Sequence, residues 1–160
     1  MGAEKMKGIA GFTKLFREEM NGLPEGSIIV FTGSNAVCAP FAELLAYSIR
    51  DKKFDLFFSP VANEKDCRAL LWKEGTGYGI SSSGKEITEA AAVIVLGGLA
   101  MPKFGCSMEK VQQFIDKMSK PDASKIIGVC FMDIFKRSGW HLHIKFDALI
   151  NATMKTEKQI

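Results

Sequence analysis

The side chains with chemical potential in this 160-residue chain are four cysteines, two histidines and a few polar groups beside glycine turns. Cys38, Cys67, Cys106 and Cys130 form no C-x-x-C pair, which excludes a zinc ribbon. Cys38 and Cys106 fall where helices should begin. The positive end of a helix lowers a thiol's pKa, so these two are the candidates for a nucleophile, a redox thiol or a metal ligand. If all four met at one end of a sheet they could hold a metal or an iron–sulfur centre. Against that stands the ordinary use of cysteine as a small buried hydrophobe, most plainly for Cys130 inside IIGVCF. His141 and His143, the only histidines, alternate within WHLHIKF. On a strand they would share one side, as metal ligands or as a polar edge face. No serine, histidine and acid combine into a triad. Asp133, at a strand's end, is the best-placed carboxylate, and one acid defines no reaction.

The stretch VFTGSNAVCAPF, residues 30–41, passes from an apolar strand through a small polar turn into a helix. Ligands of parallel α/β sheets sit outside the carboxyl ends of the strands. Thr32, Gly33, Ser34 and Asn35 therefore stand where a ligand is expected, with Gly97 and Gly98 after another strand and Asp133 after a third. The helix N-terminus behind Gly33 offers free N–H groups to an anion. The familiar nucleotide motifs are absent. A dinucleotide loop needs G-x-G-x-x-G and an acid after the second strand, where this chain has Ser59. A P-loop needs Gly-Lys-Ser/Thr, and Gly84-Lys85 is followed by Glu86. The residues thus name no cofactor. The turn reads either as a site for a small, generic anion or as a tight connection with a capping serine.

These residues depend on the elements around them. Phe12, Leu15, Phe16 and Met20 recur at helical spacing, and Gly22 is placed to end that helix. SIIVFT (27–32), FDLFFS (54–59), AAVIVL (91–96) and IIGVCF (126–131) are continuous apolar runs, the pattern of buried strands. Pro40 suits a helix's first turn, with Phe41, Leu44, Leu45 and Ile49 facing inward. Asn63 is placed to cap a short helix carrying Cys67, Leu70 and Leu71. GTGYGISSSG (75–84) suggests a hairpin around Tyr78–Ser81, or a flexible lid. Ser107 caps an amphipathic helix whose stripe is Val111, Phe114, Ile115 and Met118. Trp140, Leu142, Ile144 and Phe146 alternate with polar residues, predicting an edge strand, and Asp147 is placed to cap a last helix through Met154. Strands alternating with helices predict one α/β domain over residues 1–160. Its expected architecture is a three-layer αβα sandwich with a mostly parallel sheet, Rossmann-like or flavodoxin-like.

Composition agrees with an ordinary globular domain: 47% hydrophobic and 24% charged residues. The net charge of +3 with scattered lysines argues against a nucleic-acid footprint. No apolar run reaches a membrane span, and MGAEKMKG lacks a signal core. A cytoplasmic protein with reduced thiols is the expectation. The apolar loop LGGLAMPKF is consistent with a homodimer.

TGSNAVCAPF, VLGGLAMPKFG and GVCFMD together resemble an uncharacterised family of small proteins from methanogenic archaea, across most of the chain. The resemblance implies a single cytoplasmic α/β domain. It brings no reaction and no functional residue. Two readings remain. One is a non-catalytic domain that binds a small ligand or a protein partner over its strand ends. The other is an enzyme, or a redox or metal protein, built on Cys38 or Cys106.

Overall fold

The computed structural model describes residues 3–160. Eleven helices and strands follow one another: α1 (Gly8–Glu19), β1 (Ile28–Gly33), α2 (Asn35–Ser48), β2 (Asp55–Pro60), β3 (Cys67–Lys73), β4 (Gly77–Lys85), β5 (Ala92–Leu96), α3 (Met108–Met118), β6 (Lys125–Phe131), α4 (Ile134–Arg137) and β7 (Ala148–Ala152). The strands form one seven-stranded sheet in the order β4-β3-β2-β1-β5-β6-β7. β2, β1, β5, β6 and β7 run parallel to one another, while β3 is antiparallel both to β2 and to its hairpin partner β4.

The central strands read as unbroken apolar runs because both of their sides are buried. Alternate residues go to two separate clusters. Ile29, Phe31, Ile94, Leu96, Ile127 and Ile150 pack with Phe12 and Phe16 of α1 and Ala42, Leu45 and Ala46 of α2. Val30, Val93, Val95 and Ile126 pack with Val111, Phe114, Ile115 and Met118 of α3, and with Phe135 and Trp140. Arg17 joins α1 to the end of α2, donating to Ser48 O at 2.9 Å and, through Nη2, to Asp51 at 2.7 Å. Among the described residues no helix is long and apolar enough to cross a membrane.

Four local expectations change. The Cys67–Leu71 segment is not a helix but the start of β3. There Cys67 faces one cluster and Leu70 the other, so apolar residues on both faces imitate helical spacing. The alternating Trp140–Phe146 segment is no edge strand. Trp140–Leu142 forms a 3₁₀ turn, Trp140 stacks on Phe135 at 5.8 Å, and Leu142 is exposed. The edge strand on this side of the sheet is β7, and Asp147 caps no helix: its carboxylate accepts the Ile126 N–H at 2.7 Å. Finally, α2 begins at Asn35, five residues before Pro40. Pro40 has no N–H to donate to the carbonyl of Ala36, a residue that is exposed. The expected cap at Ser107 is present, its hydroxyl accepting the Lys110 N–H at 3.2 Å.

Candidate functional site

β1 leads through α2 to β2 on one side, and β5 leads through α3 to β6 on the other. The sheet therefore divides between the carboxyl ends of β1 and β5, where Gly33 and Gly97-Gly98 lie. That is the place a ligand crevice opens in such sheets. Here the chain fills it. Ser34 does not cap α2; its hydroxyl lies 3.4 Å from Cys38 Sγ, and both side chains are buried. A Cβ on Gly98 would overlap Cys38 Sγ and stand 3.1 Å from Ser34 Oγ. A Cβ on Gly33 would overlap Cys38 Cβ, and one on Gly97 would stand 2.6 Å from Cys130 Cβ. The glycines permit close approach of α2 and α4 to the strand ends. Asn35 is exposed, outside this contact.

Thr32 turns toward β2 instead. Its hydroxyl donates to Ser59 O at 2.9 Å and accepts the Ala62 N–H at 2.9 Å, with no exposure to solvent. Those bonds hold Val61 and Ala62 in the left-handed region, at φ 45° and 53°. A second left-handed pair, Met132 and Asp133 at φ 55° and 57°, follows β6. Asn151 of β7 fixes it by accepting the Asp133 N–H at 2.8 Å. Non-glycine residues in this region are strained and mark places the surrounding structure over-determines. Among the described residues no buried side-chain nitrogen or oxygen lacks a partner, so none is left aimed at an absent ligand.

All four cysteines are free thiols. Among the described residues no three His, Cys, Asp or Glu side chains come close enough to share a metal ion. His141 and His143 do not share a strand; His141 Nδ1 lies 3.3 Å from the Phe135 carbonyl. Burial pushes the Cys106 thiol up, against the weaker pull of Lys110, the reverse of what a ready nucleophile needs. Burial likewise raises Cys130, and it pushes Cys67 from 9.0 up to about 11. A thiol with a raised folded pKa binds its proton more tightly in the native state. Its contribution to stability is complete below pH 9 and is lost as pH rises through 11. Denaturant titrations across that range should show stability falling by up to about 1.4 kcal/mol per pH unit on account of this one proton. Cys67→Ala should flatten the fall by that slope, and an unchanged slope would refute the assignment.

A concave surface lies elsewhere. A groove of about 810 Å³ runs between α1 and β7, the last strand of the sheet. Its wall on the strand side is the unbroken run Ala148–Met154, and residues Ala3–Met6 line it from the N-terminal side. Phe12, Phe41 and Phe131 contribute an aromatic floor, with Phe131 5.5 Å from Phe12 and 4.5 Å from Phe41 between ring centroids. Asp133 and Lys136 stand toward one end, Glu18 and Glu19 toward the other. Of the residues singled out from sequence, Gly33, Ser34, Cys38 and Gly98 therefore meet in a closed contact, and Gly97 closes against Cys130 and Ile134. Thr32 serves the β2 turn, Cys106 packs against the cluster under α3, and Asp133 and Cys130 line the groove. Phe12, Phe41 and Phe131 were legible only as core residues; the alternation of Ala148, Ile150 and Ala152 was the available sign of the strand beside them.

The same fold is found in a crystal structure described as a protein of unknown function from Methanothermobacter thermautotrophicus. It superposes with a TM-score of 0.88 at 30% identity, covering 100% of this chain and 97% of that one. An uncharacterized protein of Methanocaldococcus jannaschii is 36% identical over 148 residues, 91% of this chain and 87% of its own length. An uncharacterized protein of M. thermautotrophicus is 34% identical over 149 residues, covering 93% and 92% respectively. Residues 7–155 match the family DUF2124, described as uncharacterized proteins conserved in archaea, and the chain belongs to that family.

Proposed function

We propose that this chain is a cytoplasmic, Rossmann-like αβα sandwich that works as a binding module. Its partner is an extended polypeptide segment, added as a further strand to the edge of β7. The observation carrying this reading is the groove between α1 and β7, walled along its length by the free edge of a strand. An edge strand presents unpaired N–H and C=O groups, which a second extended chain satisfies and a small molecule does not. Five strand residues span about 17 Å, enough for a short segment whose alternate side chains drop onto Phe12, Phe41 and Phe131. A small anion at the β1/β5 ends is less well supported, since Cys38 and Ser34 occupy the space above Gly98.

The test is selection from a displayed library of random twelve-residue peptides, followed by hydrogen exchange with a selected peptide bound. Protection should appear at residues 148–152. Ala152→Lys, which sends a charge into the groove from a half-buried position, should weaken binding by at least about tenfold while leaving the melting temperature nearly unchanged. Protection confined to Gly33 and Gly97–Gly98, or equal binding by the variant, would disprove strand addition. A dimer that Ala152→Lys dissociates would identify the added strand as a second copy.

A further inference from the structure

The groove beside β7 is bordered by a second stretch of unpaired backbone. Ala3–Met6 line it together with the strand's edge. Among the described residues, the backbone of residues 3–6 forms no hydrogen bond, and neither Glu4 nor Lys5 forms an ion pair. Ala3, Glu4 and Lys5 are exposed, while Met6 is half-buried. The segment is seated at one point, where Met6 passes over Gly11 of α1. A Cβ on Gly11 would stand 2.6 Å from Met6 Cβ and 3.1 Å from the Met6 carbonyl carbon. Glycine weakens a helix interior relative to alanine, and the close passage of Met6 is what requires it there. Gly8, at φ 70° with open space where a Cβ would lie, turns the chain from this segment into α1.

A segment added to β7 satisfies one of its edges on that strand and leaves the other edge bare. We propose, resting on the strand-addition reading above, that residues 3–6 are a strap that closes over the added segment and pairs with its outer edge. Gly8 is the turn on which the strap moves, and Met6 on Gly11 is its seat. The groove of about 810 Å³ persists with the strap seated, so the strap is a wall of the site and does not fill it. Met6 joins Phe12 in the groove's lining, and its unbranched thioether adapts to apolar side chains of different size. Met6 is therefore a positioning residue. A strap that closes after docking acts on the escape of the bound segment and leaves its entry nearly unchanged.

The test uses a twelve-residue peptide selected on the full chain, followed by hydrogen exchange and by its rates of association and dissociation. Residues 148–152 and residues 4–6 should both gain protection when it binds. Gly11→Ala, which lifts Met6 from α1 while favouring the helix, should speed dissociation about tenfold and leave the association rate within about twofold. Met6→Ala should do the same, and Met6→Leu should keep dissociation slow. The melting temperature should not fall in Gly11→Ala, which separates the strap's role from a general loosening of α1. Protection at 148–152 without protection at 4–6 would overturn the strap and leave strand addition standing. Unchanged dissociation in both alanine variants would do so too. Tighter binding by Gly11→Ala would make the strap a competitor and overturn the clamp. A peptide that protects neither segment would refute strand addition, and the strap with it.

Discussion

Gly98→Ala should cost about 3 kcal/mol of folding stability, and removing the Cys38 sulfur should restore much of it. The added methyl group falls on Cys38 Sγ, inside a contact where Cys38 and Ser34 are both buried. Overpacking of a closed site forces neighbours from their preferred positions and costs about 1–3 kcal/mol. Cys38→Ala alone should cost about 1 kcal/mol, as the loss of one buried atom group. In the double variant the new methyl group occupies the space the sulfur left. The two changes should therefore couple by at least about 1 kcal/mol in the favourable direction. Gly33→Ala provides the control. Its methyl group meets Cys38 Cβ, which alanine retains, so Cys38→Ala should rescue it far less. Denaturant unfolding of the single and double variants measures all of these terms. Additive costs at Gly98 and Cys38 would mean that the β1/β5 crevice is open, and a ligand site there would return to consideration.

The sequence revealed this region's position more readily than its state. An apolar run ending in Thr-Gly-Ser-Asn places the turn at a strand's carboxyl end, because strand runs and small-residue turns are local patterns. Whether the space above the turn is empty depends on where Cys38 and Gly98 meet, and those residues are sixty positions apart in the chain. The same division explains the elements. The four central strands and α3 were legible because each buries its apolar residues in a simple period. β3 was misread because its two faces are both partly covered, and Cys67, Leu70 and Leu71 then repeat as on a helix. Trp140 and Ile144 alternated like strand residues, although a 3₁₀ turn presents Trp140 to Phe135 and Ile144 joins the same cluster from beyond that turn. The β7 groove was invisible for a third reason. Its floor is made of phenylalanines from α1, α2 and β6, and composition does not distinguish a groove floor from a filled core.

The two left-handed pairs belong to the same logic of position. Val61-Ala62 follows β2 and Met132-Asp133 follows β6, so both strained turns lie at carboxyl ends of the sheet. Each is fixed by a polar side chain from an adjacent strand: Thr32 on β1 for the first and Asn151 on β7 for the second. The second turn shapes one end of the groove, where Asp133 stands. The first shapes the β2 end, where Lys117 of α3 pairs with Glu64. A side chain that satisfies one backbone N–H thus determines which way the chain leaves the strand.

Thr32→Val tests that dependence directly and should cost about 3 kcal/mol. Valine fills the same space, so packing against the core is kept while two hydrogen bonds disappear. The Ala62 N–H, bonded to Thr32 Oγ1 at 2.9 Å, would be left buried without a partner. The Ser59 carbonyl would lose the Thr32 hydroxyl as a donor. An orphaned buried donor costs about 1–3 kcal/mol, more than the net value of an average hydrogen bond. The left-handed Val61-Ala62 pair then loses one of its restraints, and its strain favours relaxation toward ordinary backbone angles. For a chain of this size the melting temperature should fall by about 9 °C. Thr32→Ser, which keeps the hydroxyl and loses only a methyl group, should cost about 1 kcal/mol. Hydrogen exchange distinguishes the cause: the Ala62 amide should lose its protection in Thr32→Val before the strands do, and retain it in Thr32→Ser. Equal losses in the two variants would attribute the effect to packing and remove the hydroxyl from the account of this turn.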